Sequence, residues 1–143
     1  MILCRSGWSA GSERSNGNPA VGSTSLSAPV ATALTTGWAL YDLGRPGEAA
    51  RILDAEVPHM AASKARARAR FGVRCALAHA AAGELERACQ LATDLLPVVQ
   101  RADSATIRLD LARLAHHLRR WHANASAREL LPAVTLALRA HPD

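Results

Sequence analysis

Two stretches of the chain, GRPGEAARILDAEVP at residues 44–58 and GELERACQLATDLLP at residues 83–97, share the pattern that decides the fold. Each stretch begins with glycine, has alanine at its sixth position and ends with proline, and the second begins 39 residues after the first. Recurrence at a fixed spacing of roughly 20–50 residues is typical of proteins built from stacked structural repeats. We therefore expect one structural unit to occur more than once in this chain of 143 residues.

The same spacing, continued, reaches His122 and reveals a third and weaker copy of the unit. The residue seven positions before the turn is small in every copy, and the residue five positions after it is always alanine. Small side chains at these places let two helices approach closely, the turn glycine ends the first helix in a left-handed conformation, and the proline ends the second. The pattern predicts three helical hairpins, with small residues at Gly37, Ala76, Ala115, Ala49, Ala88 and Ala127.

The composition agrees with an all-α fold. Hydrophobic residues make up 49% of the chain but aromatic residues only 3%, so the core must consist of alanine, leucine and valine. Only KARARARF at residues 64–71 alternates like a strand, and its alanine and arginine are strong helix formers. The predicted helices run from Ala28 to Leu43 (Ser27 as N-cap, Pro29 in the first turn), from the RPGE turn to near Pro58, from about Ser63 to Ala82, from Gly83 to about Val99, from an Asp103 cap to about Arg120, and from about Asn124 to Arg139.

The first 27 residues differ from the rest in being rich in glycine and serine without any apolar period. They are predicted to form a disordered tail (residues 1–27) before a helical repeat domain (residues 28–143), or to belong to a truncated or mis-started reading frame. The opening MILC lacks the features of a signal peptide, and the uncharged run at residues 15–41 is too polar in its first half to span a membrane. Three cysteines without CxxC spacing indicate a reducing, cytoplasmic compartment.

The repeated pattern resembles the tetratricopeptide repeat over about residues 28–139. GWALYDLGRPGEAARIL at residues 37–53 is the best copy, and AHAAAGELERACQLA at residues 78–92 is a fair one. LARLAHHLRRWHANASAREL at residues 111–130 is degenerate, because His122 replaces the turn glycine. The carboxyl-terminal segment is also similar to the sensor domain of actinobacterial transcriptional regulators, which join such a domain to an amino-terminal helix-turn-helix.

This resemblance implies a short α-solenoid of three stacked antiparallel hairpins. It also implies a non-enzymatic module that binds a protein or peptide. Such a module would be the sensor part of a transcriptional regulator. Since no helix-turn-helix pattern is visible in the sequence, the DNA-binding domain of that regulator is expected to be absent. In tetratricopeptide folds the first helix of each hairpin lines a concave groove. Carried onto this register, the groove positions are Trp38, Tyr41, Asp42, Arg70, Val73, Leu77, His116, Arg119 and Arg120.

The net charge of +5 leaves a second function class open. Arginine supplies nearly all of the positive charge, since Lys64 is the one lysine, and an arginine- and alanine-rich composition is typical of GC-rich genomes. Arg66, Arg70 and Arg74 are spaced to form one stripe on a helix, which is interpreted first as a solvated face and second as an anion-binding one. Direct binding of nucleic acid is the alternative function, disfavoured because aromatic residues do not interleave with the arginines.

No catalytic, cofactor or metal site is predicted. Adjacent His116 and His117 point about 100° apart on a helix, so they cannot easily share one ion. Cys75 and His79 lie one helical turn apart, but a nucleophile and base need an orienting acid, and none is evident near His79. His79 falls on the apolar register and is interpreted as a core or interface residue, and Trp121 as a packing anchor at the end of a helix.

Overall fold

The computed structural model describes residues 26–140, which fold into six α-helices and two short 3-10 turns without any β-strand. The predicted all-α class is therefore confirmed for this part of the chain, whereas the predicted disordered tail lies almost entirely outside it. The turns at Val57–His59 and Ala62–Lys64 connect the second helix to the third. The helices are α1 (Ala28–Asp42), α2 (Pro46–Glu56), α3 (Ala65–Ala81), α4 (Leu85–Ala102), α5 (Ala105–Arg120) and α6 (Ala125–Arg139).

The two predicted glycine turns are confirmed in detail. Gly44 and Gly83 have φ angles of 76° and 85°, a left-handed conformation in which glycine carries no Cβ penalty. In each turn the glycine N–H and the N–H that follows it donate back to carbonyls of the preceding helix, which is the Schellman pattern of helix ends. This pattern fixes where α1 and α3 stop and the direction in which α2 and α4 begin.

Two predicted boundaries are wrong. Pro97 does not end a helix but lies inside α4, which continues to Ala102. Asp103 does not cap α5 with its side chain: it adopts a left-handed conformation (φ 35°) that ends α4. Ser104 caps α5 instead, because its hydroxyl accepts the N–H of Ile107. At the first helix, Ser27 occupies the N-cap position as predicted but its side chain makes no capping hydrogen bond.

Helix α3 is the centre of the molecule. Consecutive helices pack against each other as α1 with α2, α3 with α4 and α5 with α6, while α3 also packs against α2 and α5, and α4 against α6. Cys75 and Ala78 of α3 join a core cluster with α1 and α2. Val73 and Leu77, on another side of α3, join a larger cluster with α4, α5 and α6. The two clusters share α3, so its position controls both.

The small residues of the repeat are buried where helices approach closely. Ala49, Ala88 and Ala127 have no exposed surface. A Cβ added at Gly37 would lie 3.0 Å from the side chain of Leu53, so the absence of a side chain there lets α1 pack closely on α2. Among residues 26–140, no helix has the combination of length and apolar character needed to cross a lipid bilayer.

Candidate functional site

An aromatic and arginine cluster joins α1, α3 and α5 on one face of the molecule. The rings of Trp38 and Tyr41, one helical turn apart on α1, stack with centroids 4.7 Å apart and planes 8° from parallel. The guanidinium of Arg74, on α3, lies over the Trp38 ring at 4.3 Å from its centroid. A cation at this distance is attracted to the electron-rich face of an indole. We call Trp38, Tyr41, Arg74, Asp110 and Arg113 the Arg74 cluster.

Asp110, on α5, joins the two arginines of the Arg74 cluster. Its carboxylate is almost fully buried, at 2% side-chain exposure, and accepts hydrogen bonds from Arg74 Nε at 2.9 Å and Arg113 Nη1 at 3.3 Å. A carboxylate buried this deeply requires such partners. Asp110 is not among the residues predicted from the sequence, although it stands in the apolar stripe of α5 with Ile107 and Leu114, a position at which an acid needs a partner.

The phenol of Tyr41 is affected by this setting. Partial burial raises the pKa of Tyr41 above its ordinary value of 10.0, because the charged phenolate is poorly solvated there. The positive charge of Arg113 acts in the opposite direction, and the negative charges of Asp110 and Asp42 act with the burial. Tyr41 therefore stays neutral at physiological pH and offers a hydroxyl as donor or acceptor.

Seven of the nine predicted groove residues have at least part of their side chain accessible. Trp38 and Tyr41 are half-buried, whereas Asp42, Arg70, His116, Arg119 and Arg120 are exposed. The other two need correction: Val73 and Leu77 are at most 1% exposed and pack in the core between α3, α4 and α5, so they present no surface to a ligand.

The predicted arginine stripe is also interrupted. Arg66 and Arg70 are exposed, but the side chain of Arg74 is only 11% exposed because it is paired with Asp110. Trp121 is not a packing anchor, since 47% of its surface is accessible. His117, near the same end of α5, has its pKa lowered by burial and by the charges of Arg120 and His116.

A second group of polar side chains lies where α2, α3 and α4 meet. Nε2 of His79 is 3.1 Å from Asp54 Oδ2, and its Nδ1 is 2.9 Å from Glu84 Oε2. Arg87 donates from Nη2 to Asp54 Oδ1 at 2.8 Å, and Cys75 Sγ lies 3.8 Å from the same oxygen. We call these five residues the His79 cluster. The expectation that no acid would stand near His79 is wrong, because two carboxylates contact its ring.

The glycine turn explains why Glu84 reaches His79. In the turn at Gly83 the backbone N–H of Glu84 donates to the carbonyl of His79 at 2.9 Å. The two residues whose backbones form this bond commonly also pack their side chains, usually as a hydrophobic pair. Here the pair is polar. The turn pattern at Gly83 could therefore have indicated Glu84, whereas Asp54 on α2 lies 25 residues from His79 in sequence and no local pattern could have revealed it.

The chemistry of the His79 cluster does not activate its cysteine. Burial, together with the negative charge of Asp54, raises the pKa of Cys75 to about 12. Nucleophilic cysteines have the opposite shift, because the thiolate is the reactive form. Burial also acts to raise the pKa of Asp54, but the hydrogen bond and charge of Arg87, aided by His79, outweigh it and leave that pKa below its ordinary value.

The sequence matches no model of a known family and no curated protein, and the fold matches no solved structure.

Proposed function

We propose that this chain is a non-enzymatic binding module of the tetratricopeptide type, with its helices arranged as three stacked hairpins. The ligand is a protein or peptide, bound on the face that carries the Arg74 cluster. The similarity of the carboxyl-terminal segment to regulator sensor domains makes a bacterial transcriptional regulator the context in which we expect this binding to act.

One observation carries this proposal: α1, α3 and α5, the first helices of the three predicted hairpins, contribute side chains to one network. Trp38 of α1, Arg74 of α3 and Asp110 of α5 are in direct contact. These alternate helices are the ones that line the groove of a tetratricopeptide fold. Aromatic and arginine side chains are also the commonest anchors of protein interfaces.

The exposed groups indicate a ligand with an apolar side chain and a carboxylate. Trp38 and Tyr41 are half-buried, and the accessible part of this stacked pair offers an apolar surface for that side chain. Arg70 and Arg119 are exposed, and guanidinium binds carboxylate through two parallel hydrogen bonds. Since the guanidinium of Arg74 is already paired with Asp110, it acts as a rigid support for Trp38 and the outer arginines contact the ligand.

Nucleic-acid binding is the alternative function, and the arrangement of charges favours it less than peptide binding. A duplex-binding surface gains its affinity from many uncompensated cations. Part of the positive charge within residues 26–140 is instead compensated by carboxylates in ion pairs. These pairs involve Arg45, Arg74, Arg87, Arg108 and Arg113.

Matched peptides test the proposal. Short synthetic peptides with one aromatic or leucine side chain are prepared with a free carboxyl terminus and as the corresponding amides, and binding is measured by calorimetry. We expect the carboxylate form to bind and the amide to bind at least about tenfold more weakly, since a lost charge-assisted hydrogen bond is worth about 1.5–3 kcal/mol. The double variant Arg70→Glu, Arg119→Glu should weaken binding of the carboxylate form by a similar factor.

A control variant separates the groove from net charge. Arg51→Glu, Arg128→Glu makes the same charge change at exposed positions on α2 and α6, the second helices of their hairpins, and should bind like wild type. Equal loss in both double variants would contradict the proposed location. Retention of wild type on non-specific duplex DNA, decreasing steeply with salt and abolished by either double variant, would support the alternative.

A further inference from the structure

We propose that Asp54, Cys75 and His79 form a binding site for a divalent transition metal with the ligand preferences of zinc. The site lies where α2, α3 and α4 meet and shares no residue with the Arg74 cluster. One carboxylate, one thiol and one imidazole are the three side-chain types that bind zinc in proteins.

The three ligand atoms are already close to a coordinating arrangement. His79 Nε2 and Asp54 Oδ2 are 3.1 Å apart, Cys75 Sγ and Asp54 Oδ1 are 3.8 Å apart, and every pair of ligand atoms lies within 4.8 Å. Around a tetrahedral zinc ion with bonds of about 2.0–2.3 Å, neighbouring ligand atoms are about 3.3–3.6 Å apart. Changes of about 1.5 Å or less in these separations would therefore bring all three ligand atoms onto one ion.

Glu84 provides the outer contact that a histidine ligand needs. Its Oε2 lies 2.9 Å from Nδ1 of His79, and the Gly83 turn fixes that contact. When a metal is bound, Nδ1–H donates to Glu84 and the lone pair of Nε2 is directed to the ion, so the hydrogen through which Nε2 contacts Asp54 in the metal-free protein passes to solvent. A carboxylate behind the histidine orients the ring and increases its basicity as a ligand.

The exposure of the ligands leaves an entry path. Cys75 and His79 are buried, whereas the side chain of Asp54 is 28% exposed. A metal ion can therefore reach the cluster from the Asp54 side, with water completing its coordination as in zinc sites that have three protein ligands. Cys75 binds as thiolate, and its proton passes to solvent.

Arg87 takes the place of the ion in the metal-free protein. Its guanidinium contacts both oxygens of Asp54, at 2.8 Å and 3.4 Å, and its side chain is 39% exposed and able to turn outward. A guanidinium and a metal ion compete for the same carboxylate. Removal of the Arg87 charge should therefore strengthen metal binding, a result that a purely structural role of the cluster does not predict.

The experiment titrates the full chain, stripped with chelator, with Co²⁺, followed by competition with Zn²⁺. We expect one Co²⁺ per chain with a thiolate-to-cobalt charge-transfer band and tetrahedral visible bands, all displaced by Zn²⁺. Cys75→Ser and His79→Ala should lose these bands, Glu84→Gln should weaken affinity about 10–100-fold, and Arg87→Gln should increase it. Glu84 and Arg87 are at the surface, so their variants test the site even where a core substitution disturbs folding.

Cys4 and Cys89 provide the controls. Cys89 is buried in the other core cluster, with its pKa raised by burial and by the charge of Glu86, and Cys89→Ser should keep the cobalt bands. The proposal is overturned if no thiolate band appears, if the band persists in Cys75→Ser, or if it disappears in Cys4→Ser. It is also overturned if Arg87→Gln binds Co²⁺ no more tightly than wild type.

Discussion

Tyr41 is the one tyrosine of the chain, so its ionisation can be followed directly by absorbance. Because burial raises its pKa in the folded state, we expect the spectrophotometric midpoint of the native protein to lie above 10 and to return to about 10 in denaturant. The folded pKa exceeds the unfolded one, so the neutral phenol stabilises the fold. That contribution is complete below about pH 10 and is lost as the pH rises through the folded pKa.

Substitution of neighbouring charges gives the sign of each contribution to Tyr41. Arg113→Gln removes a positive charge that favours phenolate, so the midpoint should rise further. Asp42→Asn removes a negative charge that opposes phenolate, so the midpoint should fall. A native midpoint at the denatured value in all three proteins would show that Tyr41 is fully solvated.

At the same scale, the sequence predicted the place of His79 but not its partners. The apolar register placed His79 in the core, and it is 5% exposed. Asp54 could not be assigned to His79, which lies 25 residues later in sequence, nor to Arg87, which lies 33 residues later. Contacts of this kind depend on how helices pack, and an apolar period carries no information about which polar groups then meet.

At the scale of the element, the helix ends with a strong local signal were predictable and the proline was not. Gly44 and Gly83 end α1 and α3 where expected, because the turn itself requires a left-handed residue. Pro97 was expected to end α4, since proline inside a helix costs about 3 kcal/mol. The helix continues because Val99, beyond the proline, is buried against the neighbouring helices. Tertiary packing offsets the local penalty, and sequence alone does not reveal that packing.

Close packing of α3 on α4 leads to a prediction for Ala88, which has no exposed surface. Ala88→Leu adds three carbon atoms where none fits, so the free energy of unfolding should fall by about 1–3 kcal/mol. Ala112→Leu, at an exposed position on α5, makes the same chemical change and should alter it by less than about 0.5 kcal/mol. Urea denaturation of both variants measures the difference, and equal stability would mean that the repeat register does not mark helix contacts.

At the scale of the molecule, two core clusters meet at α3, and polar links join helices that are not consecutive in sequence. Asp54 and Arg87 link α2 to α4, whereas Arg74 and Asp110 link α3 to α5. The exposed pair of Arg45 and Glu48 lies within one turn and links nothing remote. The pair of Arg74 and Asp110 is the buried one of these links and should couple the helices it joins most strongly, because exposed pairs are worth about 0–1 kcal/mol.

The link between Arg74 and Asp110 should therefore control how cooperatively the molecule unfolds. Asp110→Ala leaves Arg74 largely buried without its carboxylate, and breaking a buried pair from one side costs about 3–5 kcal/mol. Helix α5 packs mainly against α3 and α6, so hydrogen exchange should accelerate more in α5 and α6 than in α1 and α2. Glu48→Ala removes an exposed carboxylate as a control and should leave exchange unchanged.

The double variant Arg74→Met, Asp110→Leu should recover most of the stability, since apolar replacement of both partners leaves no buried charge. Acceleration of equal size in all six helices would mean that the two core clusters unfold as one unit and that this ion pair does not couple them.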